Sequence, residues 1–329
     1  MTRLPLTLAA LGATLVLAAP AGAQLPTDPP VDTPAAKDAR LDIKVESGRV
    51  DRDVRWVLTD DKLLVRGHIW PYVAGQEVKL VLYRSGERIH TKTVKVLKDE
   101  TRKNAGKYQY RFKDVTKDGV YTVRAIHDET AEQEAGASEK EHFRAIEGHV
   151  SGEESTRLLQ IALRSMAFVS PLNGSLDDAT RRAVLAWRKV NDWEHTGSPT
   201  PGMFREVFNG KGAYKLRYRH PERHIEGDIR HQVLVLVDNK KPVQIYTMSS
   251  GKSSTPTIQG KYHVYRKEPG SNSHGMYYSS YFQGGYAIHG YASVPATYPA
   301  SHGCLRVPIP DAYRIYSWIE YGDTVYTFD

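Results

Sequence analysis

The sequence predicts a multidomain chain with a β-sandwich first, a small three-helix unit next, and a mainly-β domain with one late helix last. Three observations carry this. Short runs rich in Val, Tyr, Ile and Thr fill residues 41–147, with turn signals and no helical period between them. Apolar residues then recur at helical spacing across 150–212. Strand-like runs return over 213–329, with a single amphipathic segment near the end. A length of 329 residues leads to the same expectation of two or three domains.

Residues 1–23 read as a secretory signal. Arg3 supplies the one charge, Leu4 to Ala19 the apolar run, and Ala21-Gly22-Ala23 the small-residue cleavage site. The run is short for a membrane span, which takes ~20 apolar residues; an uncleaved anchor is the alternative reading. Residues 24–40, rich in Pro, Ala and charge, hold too few apolar side chains to pack and read as a semi-extended linker.

In 41–147 the predicted strands are DKLLVRGHI, QEVKLVLYR, RIHTKTVKVL, KYQYRF and GVYTVRAIH. Ser85-Gly86 and Lys117-Asp118-Gly119 separate them, which suggests a sandwich. By pattern the stretch resembles bacterial immunoglobulin-like repeats. It shows no chemistry, and its expected role is spacer or scaffold.

In 150–212, Leu159, Leu163 and Met166 lie on one helical face. Ser175-Leu176-Asp177-Asp178 suggests a capping box opening a helix with Thr180, Val184, Trp187 and Val190 inward. Thr200-Pro201 starts a third helix and Gly210 ends it. Leu159-Gln160, Asn173-Gly174, Thr180, Ala183-Val184 and Trp187 resemble the peptidoglycan-binding module, with Asn173 and Arg188 in place of its usual Asp and Gln. A helical packing unit that binds nothing is the alternative.

In 213–329, HQVLVLVD and KPVQIYTM flank an Asp238-Asn239 turn as a hairpin. KYHVYR and GGYAIHGY follow as strands. Pro308 and Pro310 precede the helix DAYRIYSWIEY, which Gly322 ends, and TVYTF closes the sheet.

The chain carries a formal charge of +7; removing residues 1–23 takes away Arg3 alone and leaves +6. This fits ordinary solubility or a mild attraction to an anionic cell envelope. No Lys/Arg tract with interleaved aromatics is present, which argues against nucleic acid as a partner. His263 and His274 have no H-E-x-x-H or close H-x-H companion, so no metal site is expected.

The single cysteine, Cys304, is the most informative residue. An exported chain favours paired cysteines, so an odd one suggests a reactive thiol. The nucleophile is the thiolate, and a free thiol titrates near pH ~8.5, so it needs a base or a positive field. His302 stands two positions before Cys304 and His289 fifteen before it. Gly303 permits a tight turn and close approach of a substrate. Amides around Gly303 and Cys304 are candidate oxyanion donors, His289 a candidate base, and Arg306 a candidate carboxylate holder. An inert buried cysteine is the competing reading.

AIHGYASVPATYPASHGCLRV resembles the signature of the L,D-transpeptidase (YkuD) catalytic domain: His289-Gly290, then a loop, then Ser301-His302-Gly303-Cys304-Leu305-Arg306. Upstream, Gly251, Thr255-Pro256 and Gly260 are similar to a second motif of that family. The resemblance implies Cys304 as the nucleophile, His289 as its base, and Gly290 as the backbone that orients His289. It implies amides of His302, Gly303 and Cys304 on the oxyanion side, with Ser301 and Arg306 shaping the pocket. Tyr291 is a candidate groove residue. The intervening loop is short for the family, and Arg306 stands where some members carry Asn; both bear on donor positioning. The implied activity is a 3→3 peptidoglycan cross-link between stem peptides, formed through a Cys304 acyl-enzyme with release of D-alanine. No cofactor is called for, and carbapenems are the implied inhibitors. An L,D-carboxypeptidase and a non-catalytic wall-binding protein are the alternatives.

Overall fold

The computed structural model describes residues 35–329. The expected signal peptide, 1–23, and most of the 24–40 linker lie outside the described residues.

The first unit contains strands β1 (Arg40–Leu41), β2 (Lys44–Val45), β3 (Arg49–Asp51), β4 (Val54–Leu58), β5 (Leu63–Trp70), β6 (Glu77–Arg84), β7 (Glu87–Lys95), β8 (Leu97–Lys98), β9 (Gly106–Phe112), β10 (Gly119–His127), β11 (Gly136–Ala137) and β12 (Glu141–Ile146). They form two sheets. One runs β1-β5-β9-β8 with β2 on β5; the other runs β3-β4-β12-β10-β6-β7 with β11 on β10. Alternation in β5 sends Leu63, Val65 and Ile69 into the core between the sheets. Ser85 and Gly86 both take positive φ, 50° and 85°, as a two-residue hairpin turn requires. The sequence reading did not anticipate β4 and β12, which pair in parallel, Arg144 opposite Trp56.

Three helices follow: α1 (Glu153–Ser165), α2 (Asp178–Val190) and α3 (Pro201–Phe208). The N-cap of α2 is Asp177, whose carboxylate accepts from Thr180 N at 2.8 Å. The expected box at Ser175 is thus displaced by two residues, because Ser175 lies outside the first turn and its carbonyl accepts from Thr180 Oγ1 instead. Thr200 caps α3 with Pro201 at its first position, as expected. Gln160 is fully buried; its amide donates to Asn173 Oδ1, Ser175 O and Thr180 Oγ1 at 2.8–2.9 Å and accepts from Gly174 N. The motif residues in this stretch therefore satisfy one buried amide and hold the α1–α2 connection.

The last unit contains β13 (His224–Asp228), β14 (Val233–Asp238), β15 (Lys241–Thr247), β16 (Gly260–His263), β17 (Arg266–Ser271), β18 (Tyr277–Gln283), β19 (Tyr286–Tyr291), β20 (Leu305–Pro308), α4 (Ile309–Trp318) and β21 (Thr324–Phe328). One sheet runs β15-β14-β13-β21-β16 and the other β17-β18-β19-β20. KYHVYR, expected as one strand, breaks at Val264-Tyr265, because the chain passes from the first sheet to the second there. The α4 helix ends at Trp318 rather than at Gly322, since Ile319 turns extended and buries completely. Asn239 and Lys240 form the hairpin turn, both at positive φ.

The helices do not stand apart. Leu159, Val184, Trp187 and Phe204 share one core with Val233, Val235, Val237 and Ile245 of the last unit and with Trp56 and Leu58 of the first. Phe168 and Ile245 form a β-bridge, and Arg182 makes a two-pronged ion pair with Asp311 of α4 at 2.8 and 3.1 Å. Lys189 of α2 is fully buried and donates to Thr247 Oγ1, Met248 O and Gln232 O at 2.8–3.3 Å.

Candidate active site

The site is assembled on the parallel pair β19–β20, where Ile288 lies opposite Leu305 and His289 opposite Arg306. Ile288 and Leu305 enter the core beneath α4, so the alternation of the strand turns His289 and Tyr291 to the other face. Gly290 is required by packing, because a Cβ there would sit 2.6 Å from that of Ala312. Residues 292–304 leave β19 and return to β20, which places Cys304 at the mouth of the same face.

Cys304, His289, His302, Tyr291 and Arg306 line one cavity of about 300 Å³, joined by His274 and Met276. His289 is buried, 3% exposed, and its Nδ1 lies 2.9 Å from the Gly290 carbonyl. A carbonyl only accepts, so Nδ1 carries the proton and Nε2 is left as a base. The His289 pKa is lowered to about 4, chiefly by burial and in part by Arg306, against the opposing Gly290 bond. Burial raises the Cys304 thiol above its ordinary value, offset in part by a backbone bond at Ala287 and by Arg306. The cavity thus holds a neutral thiol, whose Sγ donates to Gly285 O at 3.6 Å, and a neutral imidazole.

Gly303 has φ +117°, and a Cβ there would fall 2.5 Å from the Tyr286 ring. The chain bends through His302–Cys304, in keeping with the tight turn that Gly303 permits. Ser301, expected to shape the pocket, does not line the cavity. It is fully buried; its hydroxyl donates to Cys304 O at 2.6 Å and accepts from Gly303 N at 3.0 Å. Ser301 therefore fastens the bend, and the Gly303 amide is already engaged rather than free for an oxyanion. His302 is exposed at the rim, with Lys252 Nζ 3.3 Å from its Nε2. The Arg306 guanidinium stacks 3.9 Å from the centre of the Tyr291 ring and donates to Ala300 O at 3.1 Å.

The upstream motif frames this bend. Thr257 Oγ1 donates to Gly303 O at 2.8 Å and accepts from Gly251 N at 2.9 Å. Thr255 Oγ1 donates to Ser301 O, and Ser249 exchanges backbone bonds with Arg306. A Cβ on Gly251 would meet Thr255 O at 2.2 Å, so only glycine lets the two stretches close. His274 and Met276 arrive from the β17–β18 connection; nothing in their sequence surroundings marks them.

The L,D-transpeptidase catalytic domain family, YkuD, matches residues 222–327. Among solved structures, an L,D-transpeptidase of Xylanimonas cellulosilytica is 29% identical, covering 53% of this chain and 92% of its own, with a TM-score of 0.48. The catalytic domain of an L,D-transpeptidase from E. faecium is 25% identical over 34% of this chain and all of its own, with a TM-score of 0.30. The same E. faecium domain acylated by ertapenem is 24% identical, covers 33% and 98%, and has a TM-score of 0.29. No curated protein sequence matches the chain. Residues 222–327, the segment that holds every cavity residue described above, belong to the L,D-transpeptidase catalytic-domain family.

Proposed function

We propose that the chain is an exported peptidoglycan L,D-transpeptidase whose nucleophile is Cys304 and whose base is His289. The observation that carries this reading is the shared cavity: a lone thiol and a buried imidazole with Nδ1 committed and Nε2 free open onto the same space. As Cys304 Sγ attacks the carbonyl between the third and fourth residues of a stem tetrapeptide, His289 Nε2 takes the thiol proton. The tetrahedral oxyanion falls to the amides of Cys304 and His302, because Ser301 holds that of Gly303. Collapse breaks the peptide bond, His289 returns the proton to the leaving D-alanine nitrogen, and a Cys304 thioester remains. An acceptor amine on a neighbouring stem then attacks the thioester, giving the 3→3 cross-link and freeing the thiol. Water as acceptor makes the same enzyme a carboxypeptidase. Arg306, His302 and Tyr291 hold the donor at the rim, and the helical unit contributes peptidoglycan contact. The strained amide of a carbapenem is a substrate for the same thiol and gives a stable adduct.

The test mixes protein starting at residue 24 with purified disaccharide-tetrapeptide and reads products by mass, beside Cys304→Ala. A dimer lighter than two monomers by one free alanine, absent in the variant, is expected. Tripeptide alone assigns the carboxypeptidase reaction. No product from folded protein overturns the proposal in favour of wall binding without catalysis.

A further inference from the structure

The sheet β1-β5-β9-β8 has an outer face that the activity does not use. The helices pack on the other sheet, through Trp56 and Leu58 of β4. Register places the outward side chains together: Arg40 opposite Trp70, Lys44 opposite Arg66, Arg66 opposite Gln109, His68 opposite Lys107, and Lys107 opposite Leu97. Leu64 lies opposite Arg111. Directly opposed residues point to one side of a sheet, ~5 Å apart across strands. Alternate residues along a strand repeat at about 7 Å. The result is a grid of cations.

A cleft of about 460 Å³ opens in this grid, lined by Arg66, His68, Lys95, Leu97, Lys107 and Tyr108, and no carboxylate lines it. Among the described residues Arg66, Lys95, Lys107 and Arg111 make no ion pair within 4.0 Å. The carboxylates nearby have partners of their own: Asp42 accepts from His68 N at 2.6 Å, Asp99 from Thr101 N and Oγ1 at 2.9 and 2.7 Å, and Glu46 lies 4.0 Å from Lys44. Leu97 is 64% exposed beside the cations and offers an apolar patch.

We propose that this face docks an anionic glycopolymer of the cell envelope, its charged groups on Arg66, Lys95 and Lys107 and a sugar face on Leu97. The assignment of the envelope as source rests on the function proposed above; the charge complementarity does not. Repeated unpaired cations suit a polymer with repeated anions. One isolated exposed leucine gives a membrane little to bury, which favours the polymer over a lipid surface.

The test is cosedimentation of protein starting at residue 24 with wall sacculi, with and without their covalently attached anionic glycopolymer, at low and high salt. Wild type and Arg66→Glu/Lys107→Glu are compared. Both side chains are exposed, so the double variant retains turnover of soluble muropeptide, which reports its folding. Wild type should bind polymer-bearing walls with at least ~10-fold higher affinity than the double variant, and salt should erase the difference. Stripping the polymer should lower wild-type binding to the level of the variant. Purified phosphate-bearing and carboxylate-bearing glycopolymers, run separately, identify the anion. Equal binding by the variant, equal binding to stripped walls, or equal capture by anionic phospholipid vesicles would overturn the proposal. Binding is read without turnover, so failure of the transpeptidase reading leaves this result interpretable.

Discussion

Lowering the pH from 7 to 5 separates the two ways in which Cys304 can be activated. His289 is pushed down to about 4 by burial. At pH 5 a base with that value is about 90% unprotonated, whereas a histidine at its usual ~6.5 is only about 3% unprotonated. The buried thiol is raised, so free thiolate is scarce throughout this range. If His289 takes the proton during attack, acylation is flat from about pH 5 to about pH 8, between the two titrations. If free thiolate reacts without help, the rate falls about tenfold per pH unit, or about 100-fold from pH 7 to 5. The assay is the second-order rate of carbapenem ring opening by free enzyme, followed by absorbance. His289→Gln should turn the plateau into the sloping profile. A midpoint near 6.5 in the wild type would refute the burial argument, and an unchanged profile in His289→Gln would remove His289 as the base.

Carbapenem exposure should leave a mass adduct on the wild type and none on Cys304→Ala; an adduct on both removes Cys304 from that role. Gly303→Ala should cost roughly 1–3 kcal/mol of backbone strain and slow acylation at least 10-fold, since its φ is +117° and its Cβ meets Tyr286. Gly303→Ala/Tyr286→Ala removes the clash and leaves the strain, so full recovery there would refute the conformational argument. Ser301→Ala leaves Cys304 O and Gly303 N without their partner, at about 1–3 kcal/mol each, and an unchanged thermal midpoint and rate would contradict the role of Ser301 in the bend. Lys189, lowered to about 7 by burial, binds its proton less readily folded than unfolded. Stability should therefore rise with pH above about 7 by up to about 1.4 kcal/mol per unit, and Lys189→Met should flatten that rise. Parallel curves for the two proteins would show that Lys189 does not titrate there.

The sequence by itself singled out the candidate atoms for chemistry. A lone cysteine after Ser-His-Gly, a histidine before glycine upstream, and strand and helix periods are local features, legible because each has one chemical or conformational reason. The strands rich in Val, Tyr and Ile and the Thr200-Pro201 helix start were legible for the same reason. Strands such as His224–Asp228 were not, because HIEGD lacks the apolar alternation and becomes a strand only by pairing between β14 and β21. Only the tertiary structure decided that Ser301 fastens the bend, that Thr257 holds Gly303 from a distant stretch, and that His274 and Met276 reach the cavity. The tertiary structure also merged the helices with β14 and β15 of the last unit into one core, so they brace the sheet that lies next to the one carrying the cavity. Each of these depends on contacts between residues far apart in the chain, whose partners are set by sheet order and packing and leave no periodic trace in the sequence.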